Sequence, residues 1–269
     1  MTGVVGENRQ VTDVLLVTCS KHPGGEPGGS LTEPLAARGV AASWVVWDDP
    51  AVDWSAARLV VARSTWDYQH RLPEFLAWAR SVPVPLLNGA ETFAWNADKA
   101  YLVELAAAVP TVPTRLLDLG GPSVVKPRVG ASGVGVSVVA GPALVQPLVE
   151  SVRTLGESSV YVFAGRAVSQ FDKLPAPGSR EVRVQEEYGG STRRAALDPA
   201  RAELAEAAVR AAGAPPYARV DVVQWQGAWV VSELELVEPG LYLEVDPVNA
   251  GPFADLVADT LADTLSRQT

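Results

Sequence analysis

The sequence predicts a mixed α/β fold: an N-terminal lobe on a parallel sheet, a small β-rich piece, and a C-terminal lobe of antiparallel hairpins. Three observations lead there. Short apolar runs alternate with helical patterns through about residue 88, as in a parallel α/β lobe. A glycine-rich stretch then lies between two β-branched runs, Val124–Val125 and Val134–Val139, so strand follows loop where a helix would follow in the common phosphate-binding loops. Two later pairs of strand-like runs meet at turns containing Gly165 and Gly227.

Residues 1–12 are polar and read as loose. Val14 to Thr18 is a short buried strand, followed by a Gly/Pro-rich surface loop from His22 to Ser30. Leu31 to Arg38 reads as a helix closed by Gly39, Ser43 to Trp47 and Leu59 to Ala62 as strands, and Pro73 to Val82 as a helix with proline in its first turn. Asn88 to Ala94 is a junction, and Asn96 is placed to cap a helix that carries Lys99 and runs to about Ala108. After the glycine loop, Val160 to Phe163 and Ala167 to Asp172 form a hairpin around Gly165. Asp198 to Ala212 is an alanine-rich helix, Tyr217 to Gln224 and Trp229 to Leu236 a last hairpin, and Pro252 to Arg267 a closing helix. The domain division expected is 1–88 for the first lobe and 89–269 for the rest, with the β-rich piece at about 112–146.

Composition narrows the function. The chain has 269 residues, 48% hydrophobic, with a formal charge of −9 and no basic block, which argues against nucleic-acid binding. No run is apolar enough to span a bilayer, no signal peptide opens the chain, and a single cysteine fits a reducing cytoplasm. His22 and His70 are the only histidines, so no Cys/His spacing suggests zinc, and no Gly-x-Ser-x-Gly elbow occurs.

The last hairpin concentrates charge. Glu233 and Glu235 share one strand face by their spacing of two, as do Arg219 and Asp221 on the partner strand. A two-residue Gln226-Gly227 turn would oppose Asp221 to Ser232 and separate the two sets. A three-residue Trp225-Gln226-Gly227 loop puts all four on one face and leaves Val220, Val222, Leu234 and Leu236 as a clean apolar face, so the odd-numbered loop is expected. Carboxylates so gathered repel by on the order of 4 kcal/mol per pair at ~4 Å and an effective dielectric near ~20. All-oxygen ligands point to Mg²⁺, which commonly joins protein carboxylates to substrate phosphates. Lys99 and Lys126 would balance those phosphates, with Lys173, Arg183 and Arg219 as further cations. Taken singly, each of these residues also fits a solvated hairpin with ordinary surface ion pairs.

In order along the chain come Asn96-Ala-Asp-Lys99, Val125-Lys-Pro-x-x-Gly-Ala-Ser-Gly133, Gln146-Pro-Leu-Val149, Arg183-Val-Gln-Glu-Glu-Tyr-Gly-Gly190, Arg219-Val-Asp221 and Glu233-Leu-Glu235. This series resembles the ATP-grasp enzymes. Arg63-Ser-Thr-Trp-Asp-Tyr68, Glu74-Phe-Leu-Ala-Trp78 and Glu233-Leu-Glu-Leu-Val-Glu-Pro-Gly240 resemble more particularly the glutathione-synthetase-like subgroup that includes the cyclo-ligase making cycloserine from O-ureido-serine.

The resemblance implies an α+β ATP-grasp architecture with ATP and Mg²⁺ as cofactors. Lys99 and Lys126 would contact ATP phosphates under a lid formed by Gly130, Ala131, Ser132 and Gly133. Gln146, Pro147, Leu148 and Val149 would hold adenine, and Glu157 the ribose hydroxyls. Asp221, Glu233 and Glu235 would ligate Mg²⁺, with Glu235 where the family often has asparagine. Arg219 and Arg183 would neutralise the transferring phosphoryl group, and Lys173 would face ATP or the acceptor. Arg63, Ser64, Thr65, Trp66 and Asp67 are candidates for the substrate, the alternative being that they pack the first lobe.

The reaction implied is activation of a small carboxylate as an acyl phosphate and its capture by an amine, between molecules or within one. A small-molecule kinase and a nucleotide-binding protein without turnover are the alternatives. The partners expected are small molecules and a second copy of the chain, with no nucleic acid or membrane. Two departures from the subgroup stand out: a lid trimmed to Ala-Gly-Pro-Ala after Val139, and Gly24-Gly-Glu-Pro-Gly-Gly29 in place of an acidic run.

Overall fold

A computed structural model describes residues 12–118, 120–125, 128, 137–178 and 181–266. Its first lobe is a three-stranded parallel sheet in the order β2-β1-β3, from β1 (Val14–Thr18), β2 (Ala42–Val46) and β3 (Leu59–Ser64), with α1 (Thr32–Ala36) between the first two. β1 and β3 are buried along their whole length, as apolar strands covered on both faces must be. On one side Leu15, Val17, Val60 and Ala62 pack against α2 (Leu72–Ser81), whose Phe75 and Trp78 meet Trp47 at ring separations of 5.5 and 6.2 Å.

The stretch expected as a junction is helical. Gly89, at φ +82°, turns the chain into α3 (Ala90–Ala97), and Phe93 stacks on Phe75 at 6.0 Å, so a buried aromatic fixes the helix in place. Asn96 therefore caps nothing. Its amide lies in the last turn of α3 and works as a stand-in peptide group, donating to Leu234 O (2.7 Å) and accepting from Leu236 N (2.8 Å). Lys99 precedes α4 (Tyr101–Leu105), and Asp98 Oδ1 accepts from Ala100 N at 2.9 Å.

The middle piece consists of two small antiparallel sheets. One pairs β4 (Arg115–Leu117) with β7 (Ala143–Val145), the other β5 (Ser123–Val125) with β6 (Ser137–Val139). The strand–loop–strand expectation holds for its two strands. Lys126 and Gly130 to Gly133 lie outside the described residues.

The second lobe follows α5 (Val152–Leu155). Its five-stranded antiparallel sheet has the order β10-β9-β8-β11-β12, from β8 (Glu157–Phe163), β9 (Arg166–Leu174), β10 (Ser191–Ala195), β11 (Tyr217–Trp225) and β12 (Ala228–Glu235). One face, with Val160, Val162, Val220, Val222 and Leu234, is covered by α4 and the small-residue side of α6 (Pro199–Ala211). The other changes character along its length. Tyr161, Phe163, Phe171 and Tyr217 pack against Phe253 of α7 (Ala250–Ser266) and against Val14, Leu16, Leu59 and Val61 of the first lobe, forming one core shared by both lobes. Beyond the aromatics that same face carries Ser159, Lys173, Asp221, Glu233 and Glu235. No described helix is long and apolar enough to cross a membrane.

Candidate functional site

The charged end of that face is assembled by the hairpin β11–β12, by a route the sequence did not predict. Its turn has two residues: Trp225 pairs with Ala228, and Gln226 and Gly227 take φ of +51° and +85°, the two left-handed positions of a type I′ turn. Such a turn alone would oppose Asp221 to Ser232. The register instead shifts between Asp221 and Val222, so that Val222 faces Val231, Asp221 faces Glu233, and Ser232 is the extra residue of a bulge. The Ser232 hydroxyl donates to Asp221 O (3.0 Å) and reaches Glu157 Oε2 at 3.1 Å. The bulge thus does what the expected three-residue loop was to do: carboxylates take one face, and Val220, Val222 and Leu234 the other.

One carboxylate oxygen from each of Asp221, Glu233 and Glu235 lies within 4.8 Å of the other two. Asp221, 2% exposed, accepts from Arg219 Nε (3.1 Å) and Nη2 (2.9 Å), Ser159 Oγ (2.5 Å) and Lys173 Nζ (3.3 Å). Burial opposes its ionisation, but Arg219 and Lys173 outweigh that and hold it below the usual carboxylate range. Glu235 also pairs with Arg219, and Glu233 with Lys99. Burial, with Glu233 and Asp221 nearby, nonetheless pushes Glu235 up to about 7 against the pull of Arg219. Lys173 is buried under the wall, tied to Glu157 at 2.5 Å as well as to Asp221, and these two anions raise its pKa despite burial. The set passes the test for a hard divalent cation: every donor is oxygen, the three converge, and carboxylate is in surplus.

The wall bounds a cavity of about 750 Å³. Lys99, Arg219, Glu233 and Glu235 line one side, and Trp66, Tyr68, Glu238 and Tyr242 continue it. Among the residues expected from sequence, Lys99, Lys173, Arg219, Asp221, Glu233 and Glu235 come together, joined by Glu157, which binds Lys173 and Ser232. Gln146, Pro147 and Leu148 are exposed after β7, with Gln146 donating to Thr114 Oγ1 at 3.0 Å, and Val149 is half-buried. Arg183 is not among the residues lining the cavity: it pairs with Glu181 at 2.5 Å and lies over the Tyr188 ring.

The substrate expectation needs correction. Arg63, Ser64 and Thr65 are fully buried and do not line the cavity. Arg63 pairs with Glu26, donates to Tyr217 Oη and to Pro239 O (3.0 Å), and sits 4.8 Å from the Phe253 ring centroid. Asp67 binds Arg71 (2.8 Å) and Trp47 Nε1 (3.0 Å). Of the five, Trp66 alone lines the cavity. The loop read as a surface loop also contributes a buried residue, Glu26.

Sequence reasoning missed Glu26, Glu238, Tyr242 and Glu244 as lining residues, while Tyr68, at the end of the Arg63-to-Tyr68 phrase, does line the cavity. Glu238 and Tyr68 stand inside the distinctive phrases, which was the one available signal. Burial, and after it Glu235, push the Glu238 carboxyl well above its usual range.

Comparison with known proteins gives the chain's relatives. The family model described as D-cycloserine synthetase DcsG, N-terminal domain, matches residues 14–88. Cycloserine biosynthesis protein DcsG of Streptomyces lavendulae is 30% identical over 287 residues, covering 86% of this chain and 92% of the relative. The crystal structure of D-cycloserine synthetase DcsG superposes with a TM-score of 0.76 at 28% identity, covering 92% of this chain and 99% of that one. D-alanine–D-alanine ligase from Bacillus anthracis, complexed with ATP, has a TM-score of 0.58 at 13% identity over 96% and 99% of the two chains, which is a likeness of fold.

Proposed function

The chain belongs to the DcsG family of ATP-grasp ligases, and on that premise we propose that it uses ATP and Mg²⁺ to activate a small carboxylate as an acyl phosphate, which an amine then captures. The observation that carries this reading is the convergence of the buried Asp221 with Glu233 and Glu235 within 4.8 Å, the two glutamates lining a cavity together with Lys99 and Arg219.

A carboxylate is a poor electrophile, because its charge is delocalised and an amine cannot displace oxide. Breaking the bond from the γ-phosphorus to its bridging oxygen and forming one to the carboxylate gives a mixed anhydride. Amine attack then forms the C–N bond, inorganic phosphate departs, and the amine proton passes to solvent. Two anions must approach for the first step, so the protein's contribution is positioning and fixed charge. Arg219, held by Asp221 and Glu235, presents a guanidinium that cannot swing away from the phosphoryl group. Lys99, paired with Glu233 and lining the cavity, adds an ammonium. Asp221, Glu233 and Glu235 would hold Mg²⁺, which supplies charge neutralisation to ATP when bound. Lys173 and Ser159 keep Asp221 ionised and aimed.

The test is a phosphate-release screen with ATP, amino acids and ureido compounds, with mass analysis of products. The expected result is substrate-stimulated release of ADP and phosphate with an amide or ring product, reduced at least ~100-fold in Asp221→Asn. A stable phosphorylated product, or ATP binding that no substrate converts to turnover, overturns the reading.

A further inference from the structure

The Gly/Pro-rich stretch from His22 to Ser30 has no part in the nucleotide and metal assignments, yet it reaches the cavity through Glu26. Between the end of β12 and the short helical turn Pro247–Asn249 the chain forms neither strand nor helix, so its course is set by what it touches. Glu238, Gly240, Tyr242 and Glu244 line the cavity. The residues between them are anchored to the first lobe. Pro239 O accepts from Arg63 Nη1 at 3.0 Å, and Leu241 N donates to Glu26 Oε2 at 2.6 Å. Leu241 and Leu243 are buried in the shared core with Leu31 and Leu35.

Glu26 and Arg63 carry the two polar anchors. Glu26 is 5% exposed and uses both carboxylate oxygens, Oε1 accepting from Arg63 Nη2 and Oε2 from Leu241 N. Arg63, near the end of β3 and fully buried, divides Nη1 between Pro239 O and the Tyr217 hydroxyl. One ion pair thus grips a carbonyl and an amide two residues apart. Hydrogen bonds to charged groups are the stronger kind, and burial keeps water from replacing them. The loop also fits the segment by shape. Gly28 has φ +87°, and a Cβ on it would lie 2.1 Å from Glu244 N and Cα, so only glycine lets the two backbones approach this closely.

We propose that Glu26 and Arg63 are positioning residues for the reaction: held in the first lobe, they fix the register of residues 238–244 along the cavity, and the loop carrying Glu26 is the mould for that wall. The effect on turnover rests on the ligase reading, and the grip on the segment rests on the hydrogen bonds alone.

Two variants press on the segment from different directions. Glu26→Gln removes the charge and keeps the shape of the side chain, while Gly28→Ala leaves the ion pair alone and drives a methyl group into Glu244. In Glu26→Gln, hydrogen exchange of the whole chain is expected to speed up about 10-fold in peptides covering 238–245, the low end for a hydrogen bond to a charged group. Gly28→Ala is expected to speed up the same peptides, and β8 and β11 to stay unchanged in both variants, which also certifies that they are folded. With the substrates that wild type turns over in the phosphate-release screen, KM for the carboxylate is expected to rise about 10-fold and KM for ATP to stay within about 2-fold. A merely structural role would lower kcat through a smaller folded fraction and leave both KM values where they are. Exchange that rises throughout the sheet or nowhere, or a carboxylate KM equal to that of wild type, refutes the positioning role. A wild type without turnover refutes the ligase reading and the effect on turnover with it, and hydrogen exchange still decides the grip on residues 238–244.

Discussion

At the residue scale, Glu235 makes the site sensitive to pH. Its carboxyl titrates near 7 when folded against an ordinary value of 4.5, so between these values the folded chain binds the proton more tightly than the unfolded one. Stability therefore falls as pH rises through that window and levels off above it. Asp221, depressed below its ordinary value of 3.8, has the opposite sign: its contribution is present at neutral pH and lost only in acid. Thermal unfolding of metal-free protein from about pH 5 to about pH 8 is expected to show Glu235→Gln gaining on wild type as pH rises. Mg·ADP should remove that gain, because a bound cation favours the ionised carboxylate of the wild type. A difference between the two proteins that does not vary with pH would refute this account. The spacing of Glu233, Glu235 and Asp221 was legible in the sequence, since a period of two fixes which residues share a face. The burial of Arg63 was not, because an arginine in a distinctive phrase reads the same whether it meets a ligand or a buried glutamate.

At the scale of the element, the hairpin β11–β12 shows how a right conclusion came from a wrong connection. The segregation of carboxylates from valines was readable, and it requires an offset of one residue between the strands. That offset can sit in the turn or in a bulge, and the pattern of charges does not distinguish them. The signal that favoured the bulge was local: Gln226-Gly227 fits a type I′ turn poorly at its first position, yet Gly227 fits the second well. Gln226 at φ +51° is consequently strained. Gln226→Gly is expected to stabilise the protein by about 0.5–1 kcal/mol, the left-handed cost of roughly 1–2 kcal/mol less glycine's greater loss of freedom on folding, measured as a higher urea midpoint at unchanged slope. A neutral or lower midpoint would show that the turn is relaxed as it stands. The missed helix α3 has a similar origin. Gly89 and Asn88 signalled a break, but the packing of Phe93 on Phe75 that makes the next turn helical is a contact between distant residues.

At the scale of the whole molecule, the two lobes are joined by polar ties as well as grease. Asn88 donates to Tyr217 O and Leu236 O and accepts from Tyr217 N, and the Arg63–Glu26 pair reaches Pro239 O and Leu241 N. Removing one partner of a buried ion pair leaves the other unmatched. Glu26→Ala is therefore expected to cost about 3–5 kcal/mol in a denaturant melt, and a loss below about 1 kcal/mol would show that Arg63 finds compensation elsewhere. The fold class and element order were legible because composition and periodicity carry them. The partnership of Glu26 was not, since glycines and prolines around it announce a surface loop. The core common to both lobes also decides which parts can move in turnover. Leu16 and Val61 from one lobe and Phe163 and Tyr217 from the other pack into a single mass around Phe253, so a clamshell motion between them would tear hydrophobic contacts that nothing replaces. The two small sheets carry less of that burden: Leu116, Val124 and Val138 are exposed, and Leu144 packs only partly buried against the second lobe. The bed on which the cavity sits is expected to keep its shape from one cycle to the next.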